Sequence, residues 1–193
     1  MNRIIFLVTL LLCHIASIAQ NSNEHLKFKG VPIDGTLREY VSKMESAGFS
    51  YIDTHDDGTA ILQGDFAGFK GCLISVSTMT NSDIVNTISV IFPKKDDWYS
   101  LEENYLHLKK MLTEKYGDPA ECVEEFQDYA TDNLQKLQCL KLDKCIYVTI
   151  FATPKGDIKL SLGHQRLKSC FVKLQYWDRI NTDTINAKAM DDL

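Results

Sequence analysis

The sequence describes an acidic chain of 193 residues with a formal net charge of −5, of which 45% are hydrophobic. A chain of this size can form one domain, or two small ones, around a core that needs no metal for stability. The absence of a basic tract argues against nucleic acid as a partner and against electrostatic docking on anionic lipid, because both require clustered Lys and Arg.

Residues 1–19 have the organisation of a secretory signal peptide. Arg3 gives a positive start, residues 4–15 are apolar, and Ala19 ends a small-residue cleavage site. The apolar stretch is too short for a membrane-spanning helix, so we expect no membrane span in the mature chain. We therefore predict a secreted or periplasmic protein that begins at Gln20. Leu12 precedes Cys13 where a lipoprotein needs a small residue, which argues against lipidation.

The first half of the mature chain reads as one helix followed by four strands. A strand is predicted over residues 26–31. A capping box of Thr36 and Glu39 begins the first helix, and Gly48 ends it. Alternating or β-branched runs predict strands at residues 49–54, 59–66, 70–80 and 84–93, and Gly58 lies in the first hairpin turn.

The second half has a similar order. A second capping box, Ser100 with Glu103, begins a helix that Gly117 ends. Strands are predicted at residues 122–127, 145–153, 157–163 and 170–178, with a short helix at residues 132–142. Residues 179–193 are polar and aperiodic, and they are predicted to be a frayed tail.

These elements predict an α+β fold in which helices pack on antiparallel sheets. Short turns between successive strands require antiparallel pairing, because parallel neighbours need long crossover connections. We place the first unit at residues 20–95 and the second at residues 96–178. The matched order of the two units predicts a tandem duplication.

The cysteines leave the disulfide pattern open. Cys72 and Cys170 occur in strand-like runs and are expected to be buried thiols. Cys122, Cys139 and Cys145 lie in one polar connecting region, so a disulfide among them is plausible in an oxidising compartment. Their spacing matches no structural zinc pattern, and we expect no metal site.

The sequence contains no recognised catalytic or cofactor-binding motif. It has no nucleophile elbow, phosphate-binding loop, dinucleotide fingerprint or paired-histidine zinc motif, so no catalytic residue and no cofactor are predicted. A binding protein is therefore favoured over an enzyme. Two alternatives stay open: a hydrolase of glycan or peptide whose active residues come from distant strands, and a carrier of an apolar ligand.

Two aromatic pairs are the candidates for a binding surface. Trp98 and Tyr99 begin the second helix, and Tyr176 and Trp177 end the last strand. Large rings on a rigid element anchor protein or glycan partners. The competing interpretation is that the same rings cover the ends of the core. The pattern specifies neither the partner nor an oligomeric state.

Three segments carry a resemblance to small secreted proteins of Bacteroidetes-type bacteria. They are the opening at residues 26–37, the stretch from Trp98 to Pro119, and the segment that begins at Gly156. That group implies no activity, so no functional residue is transferred from it. The doubled helix-plus-four-strand order is also similar to the β-lactamase-inhibitory-protein fold, which implies a concave sheet that grips another protein.

Overall fold

A computed structural model of the chain describes residues 24–78, 82–127, 129–165 and 169–191. The proposed signal peptide lies outside these residues. The described residues form four helices: α1 (Leu37–Ser46), α2 (Trp98–Tyr116), α3 (Asn133–Lys141) and α4 (Arg179–Asp191). They also form ten strands: β1 (Lys27–Phe28), β2 (Val31–Pro32), β3 (Ser50–Thr54), β4 (Ala60–Phe66), β5 (Phe69–Thr78), β6 (Val85–Ile91), β7 (Glu121–Phe126), β8 (Cys145–Thr153), β9 (Gly156–Gln165) and β10 (Ser169–Asp178).

The helix ends follow local hydrogen-bond chemistry. The Thr36 hydroxyl accepts a hydrogen bond from the Glu39 backbone N–H, and the Glu39 carboxylate accepts one from the Thr36 N–H, so the predicted capping box is confirmed. The second box is wrong, because α2 begins three residues earlier than a cap at Ser100 implies. Asp97 caps it by accepting a hydrogen bond from the Ser100 N–H at 2.8 Å.

Strands β3 to β10 form one antiparallel sheet in the order β3-β4-β5-β6-β10-β9-β8-β7. The predicted α+β fold is confirmed, but its two units share a single sheet. Strands β6 and β10 join them, with Thr87 opposite Trp177 and Ile91 opposite Lys173. The order of one helix and then four strands occurs in both halves, although α3 interrupts the second. Duplication of an ancestral unit stays a prediction.

The core lies on one face of this sheet. Helix α1 contacts β3 and β5, while α2 and α3 contact β8, β9 and β10. On the central strand β10, alternate residues point to this side and are almost fully buried. The largest fully buried side chains are Trp98, Tyr40, Tyr105, Phe28, Phe92, Phe151, Ile33 and Met44.

Both ends of the described chain are attached to the core through Asp178, whose side chain is fully buried. Its carboxylate accepts hydrogen bonds from the Leu26 N–H at 2.7 Å and from the Asn181 N–H at 3.0 Å. His25 Nδ1 lies 3.0 Å from the same carboxylate. The Asn181 amide donates to backbone carbonyls of Ile33 and Val85. Residues 179–191 therefore form a capped helix, and the predicted frayed tail is wrong there.

The first predicted strand, at residues 26–31, is also corrected. It is a tight hairpin of the two-residue strands β1 and β2, which turns at Lys29 and Gly30. Phe28 anchors the hairpin to the core, with its ring stacked on Phe66 at a centroid distance of 4.9 Å. Within the described part of the chain, no helix combines the length and apolar character needed to cross a bilayer.

The two edge strands of the sheet are protected from pairing with another strand. At β3 the register shifts between Tyr51 and Asp53, which interrupts its regular ladder. At β7 the pairing with β8 is regular, but the strand carries Glu121, Glu124 and Glu125. Bulges and charged side chains are the common means by which sheet edges avoid edge-to-edge association.

Candidate functional site

The sheet face opposite the helices α1, α2 and α3, the open face, is partly exposed. On β10, Val172 and Leu174 are 1% exposed and point to the helices, whereas their neighbours Phe171, Lys173 and Gln175 alternate to the other side. Cross-strand pairing places further residues of β4, β5, β6 and β9 on the same side. The open face includes Ile61, Leu73, Ser75, Ser89, Ile91, Lys159, Phe171, Lys173, Gln175 and Trp177.

Trp177 marks one end of the open face. Its neighbours across the sheet are Thr87 on β6 and Asp157 on β9. The Asp157 carboxylate lies 3.3 Å from the Arg179 guanidinium, so an ion pair flanks the indole. The start of β9 approaches the Trp177 carbonyl so closely that a Cβ at Gly156 would collide with it. This glycine therefore fixes the end of β10 that presents the indole.

The structure separates the four aromatic residues that were predicted to form a surface. Trp98 is fully buried against Phe126, and Tyr176 is 4% exposed on the helix side of β10. These two assignments are wrong, because both rings belong to the core. Tyr99 is 66% exposed on α2, and Trp177 is partly exposed on the open face, so the remaining two rings lie on different sides of the sheet.

Two lysines lie near the centre of the open face. Lys173 faces Ser161 and Ile91 across the sheet, and Lys159 lies diagonally from it beside Gln175. Burial and the neighbouring Lys159 lower the pKa of Lys173, and no described carboxylate offsets this effect. The open face thus has a partly buried positive charge without a counter-ion.

A second polar cluster connects α2 to β7 and β8 on the helix side. The Lys109 ammonium lies 2.6 Å from the Glu124 carboxylate and 3.1 Å from the Cys122 sulfur. The Tyr105 hydroxyl lies 2.6 Å from the Thr149 hydroxyl. Burial opposes the charge on Lys109, but hydrogen bonds to Glu124 and Cys122 outweigh it and raise its pKa. The Lys109 ammonium beside the Cys122 thiol is already paired with Glu124. We therefore interpret this cluster as a structural link between α2 and β7.

Cys122, Cys139 and Cys145 are free thiols in the structure, and a disulfide among them in an oxidising compartment stays a prediction. Cys122 lies on the edge strand beside Lys109, whereas Cys139 and Cys145 are buried at the α3 end of the core. Burial raises the pKa of Cys145 to about 12, which keeps it protonated and unreactive. Cys72 and Cys170 are buried free thiols, as predicted.

Two of the carboxylates on α2 and β7 are engaged in structural contacts. Glu102 accepts a hydrogen bond from the Tyr147 hydroxyl at 3.0 Å, and Glu124 pairs with Lys109. Among the described residues, no group of three or more His, Cys, Asp or Glu side chains is arranged to hold a metal ion.

Comparisons with protein-family models, curated proteins and solved structures find no match to this chain. The resemblances drawn from the sequence therefore stay predictions.

The sequence interpretation missed Phe171, Lys173 and Gln175, although the signal was present. In an alternating strand, residues two apart share a face, so Trp177 has these three residues on its own side. The same rule shows that Tyr176 and Trp177 cannot lie on one face. The centre of the open face could not be predicted, because it depends on the long-range pairing of β6 with β10.

Proposed function

We propose that this chain is an exported protein that binds a partner protein through the open face of its sheet. The observation that carries this proposal is a set of partly exposed apolar side chains on the open face, which also presents Trp177 at one end. A solvated face of an antiparallel sheet usually alternates to polar residues. Here it also presents Leu73, Ile91 and Phe171 on three central strands. Contiguous apolar surface with a large ring is typical of interaction sites.

The chemistry of the open face favours a protein over a glycan. Sugars stack on aromatic rings, but most apolar side chains here are aliphatic and gain most from contact with apolar protein groups. No described carboxylate pairs with the Lys173 ammonium, so a partner that presents a carboxylate at this position would stabilise its charge. We therefore expect the partner to contribute an acidic residue within an apolar surface.

The two edge strands are poorly suited to pairing with a strand of a partner, which favours contact through the open face. Partners that extend a sheet need a regular, unprotected edge. Strand β3 has a register shift, and β7 has three glutamates. A partner that covers the open face avoids both features.

Affinity capture with matched variants tests this proposal. The mature chain from Gln20 is immobilised and exposed to envelope extract of the producing bacterium, alongside Trp177→Ala and Tyr99→Ala variants. Trp177 is partly exposed and Tyr99 is largely exposed, so each variant removes an accessible ring, but only Trp177 lies on the open face. We expect one protein that the wild type and Tyr99→Ala retain equally. Trp177→Ala should retain it at least about tenfold less, the loss typical when an aromatic anchor is truncated.

Three results would contradict the proposal. These are equal capture by all three proteins, selective loss with Tyr99→Ala, and capture of a polysaccharide in place of a protein. Export has its own test, which is the N-terminal residue of the native protein in the envelope fraction. Gln20 is expected there, whereas an intact Met1 in a cytosolic fraction would contradict the export part.

A further inference from the structure

A cavity of about 440 Å³ lies at one end of the helix-covered side of the sheet. It is bordered by the β1–β2 hairpin, the last turn of α2 and the turn between β8 and β9. Leu26 and Tyr176, both 4% exposed, and the partly exposed Phe66 contribute apolar walls. Apolar walls with a few convergent polar groups are the usual composition of a small-molecule site.

Lysines provide all the charged side chains that line this cavity. They are Lys27, Lys29, Lys115 and Lys155. Lys155 forms an ion pair with Glu24, which lies outside the lining. Among the described residues, no carboxylate lies within ion-pair distance of the other three. A local excess of positive charge in a chain with a net charge of −5 indicates complementarity to an anion.

The backbone at Lys29 gives an independent indication. Lys29 has φ +50° and Gly30 has φ +81°, so the β1–β2 turn has left-handed backbone at both central positions. Asn or Gly suits the first of these positions, whereas lysine adopts it at a cost. Its ammonium lies 5.9 Å from the Phe49 ring centroid, a contact of modest strength. A side chain kept in a strained position is a reason to look for a function.

We infer that this cavity binds an organic anion with an apolar body. The anionic group, a carboxylate, sulfate or phosphate, contacts Lys29 and Lys115 at the mouth. The apolar body lies against Leu26, Phe66 and Tyr176. This cavity is on the other side of the sheet from the open face, so the inference does not depend on the proposed partner protein.

Titration with decanoate tests the inference, with decanol as the neutral probe of the same chain length. Isothermal calorimetry gives the affinity, and amide chemical shifts locate the site. We expect decanoate to shift the amides of Leu26, Gly30 and Tyr116 and to bind at least about tenfold more tightly than decanol, since decanol cannot pair with the ammonium groups.

Variants separate the role of charge from the stability of the fold. Lys29→Asn removes one ammonium and suits the left-handed turn, so it should raise the urea midpoint while decanoate binds about two- to fivefold more weakly. Lys115→Gln should weaken binding by a similar factor. Lys70→Gln removes an exposed lysine of β5 outside the cavity and should change neither affinity nor midpoint.

Several outcomes would overturn the inference. Equal affinity for decanoate and decanol would show that the lysines recognise no anion. If decanoate does not bind, or if it shifts only amides outside the cavity, the cavity is not its binding site. Association with phosphatidylglycerol vesicles without binding of monomeric decanoate would indicate a membrane surface as the true target. Unchanged affinity in Lys29→Asn and Lys115→Gln together would also contradict it.

Discussion

The two tryptophans are expected to differ in how much their substitution destabilises the fold. Trp98 is fully buried, with ring centroids of Phe126 and Tyr147 at 5.1 and 5.2 Å, so Trp98→Ala leaves a large cavity in the core. Such changes cost about 3–5 kcal/mol of the free energy of unfolding. Trp177 is partly exposed on the open face, and its loss should cost about 1 kcal/mol, near the average for single substitutions.

Urea unfolding followed by far-ultraviolet circular dichroism measures both values. Because domains of this kind have about 5–15 kcal/mol in total, Trp98→Ala should lower the midpoint severely while Trp177→Ala shifts it slightly. Single-tryptophan forms, Trp98→Phe and Trp177→Phe, give a second readout. Acrylamide should quench the emission of Trp177 and spare that of Trp98. Equal destabilisation by the two alanine variants, or equal quenching, would refute the assignment of one ring to the core and one to the open face.

Three further predictions concern buried polar groups. Tyr40→Phe removes a buried hydroxyl that has no described hydrogen-bond partner, so it should be neutral or stabilise the fold by up to about 1 kcal/mol. Tyr105→Phe breaks a 2.6 Å hydrogen bond and should cost about 1 kcal/mol. Urea midpoints in the reverse order would contradict this prediction. Asp178→Asn weakens the attachment of both chain ends and should cost about 2–3 kcal/mol by the same assay, and a change below about 0.5 kcal/mol would be inconsistent with that role. Lys173→Met should stabilise the fold at pH 7, because the lowered pKa of Lys173 means that folding disfavours its charged form. The gain in unfolding free energy should shrink as the pH rises towards 10.5, where the lysine loses its charge in the unfolded chain as well. A gain that stays constant with pH would exclude this electrostatic cause.

Local signals predicted most of the elements because they act within a few residues. The Thr36–Glu39 box and the left-handed Gly117 mark helix ends directly in the sequence. The strands after α1 follow alternation and turn residues in the same way. The second capping box was wrong, because Asp97 caps α2 in place of Ser100.

Long-range contacts account for the parts that the sequence did not predict. Helix α4 has little apolar periodicity, but the Asn181 amide holds its first turn to the core by donating to the distant Ile33 and Val85 carbonyls. The union of both halves in one sheet depends on the pairing of Thr87 with Trp177. Neither contact has a local sequence signature. The candidate site was therefore only partly predicted, with Trp177 identified and Lys173 missed.

The open face combines features that work against stability with features that suit a partner. No described carboxylate pairs with Lys173 there, and Phe171 and Trp177 stay partly exposed although burial would favour the fold. Proteins commonly keep such destabilising residues where function needs them. This conflict is the reason to place the partner on the open face.

Site-specific photo-crosslinking in living cells tests the central claim most directly. A benzophenone amino acid replaces Ser75 at the middle of the open face in one strain, and replaces Leu106, which is 47% exposed on α2, in another. The account predicts one discrete protein adduct from position 75 and none from position 106. An adduct from position 106 alone, or none from position 75 under conditions where the protein is exported, would contradict it.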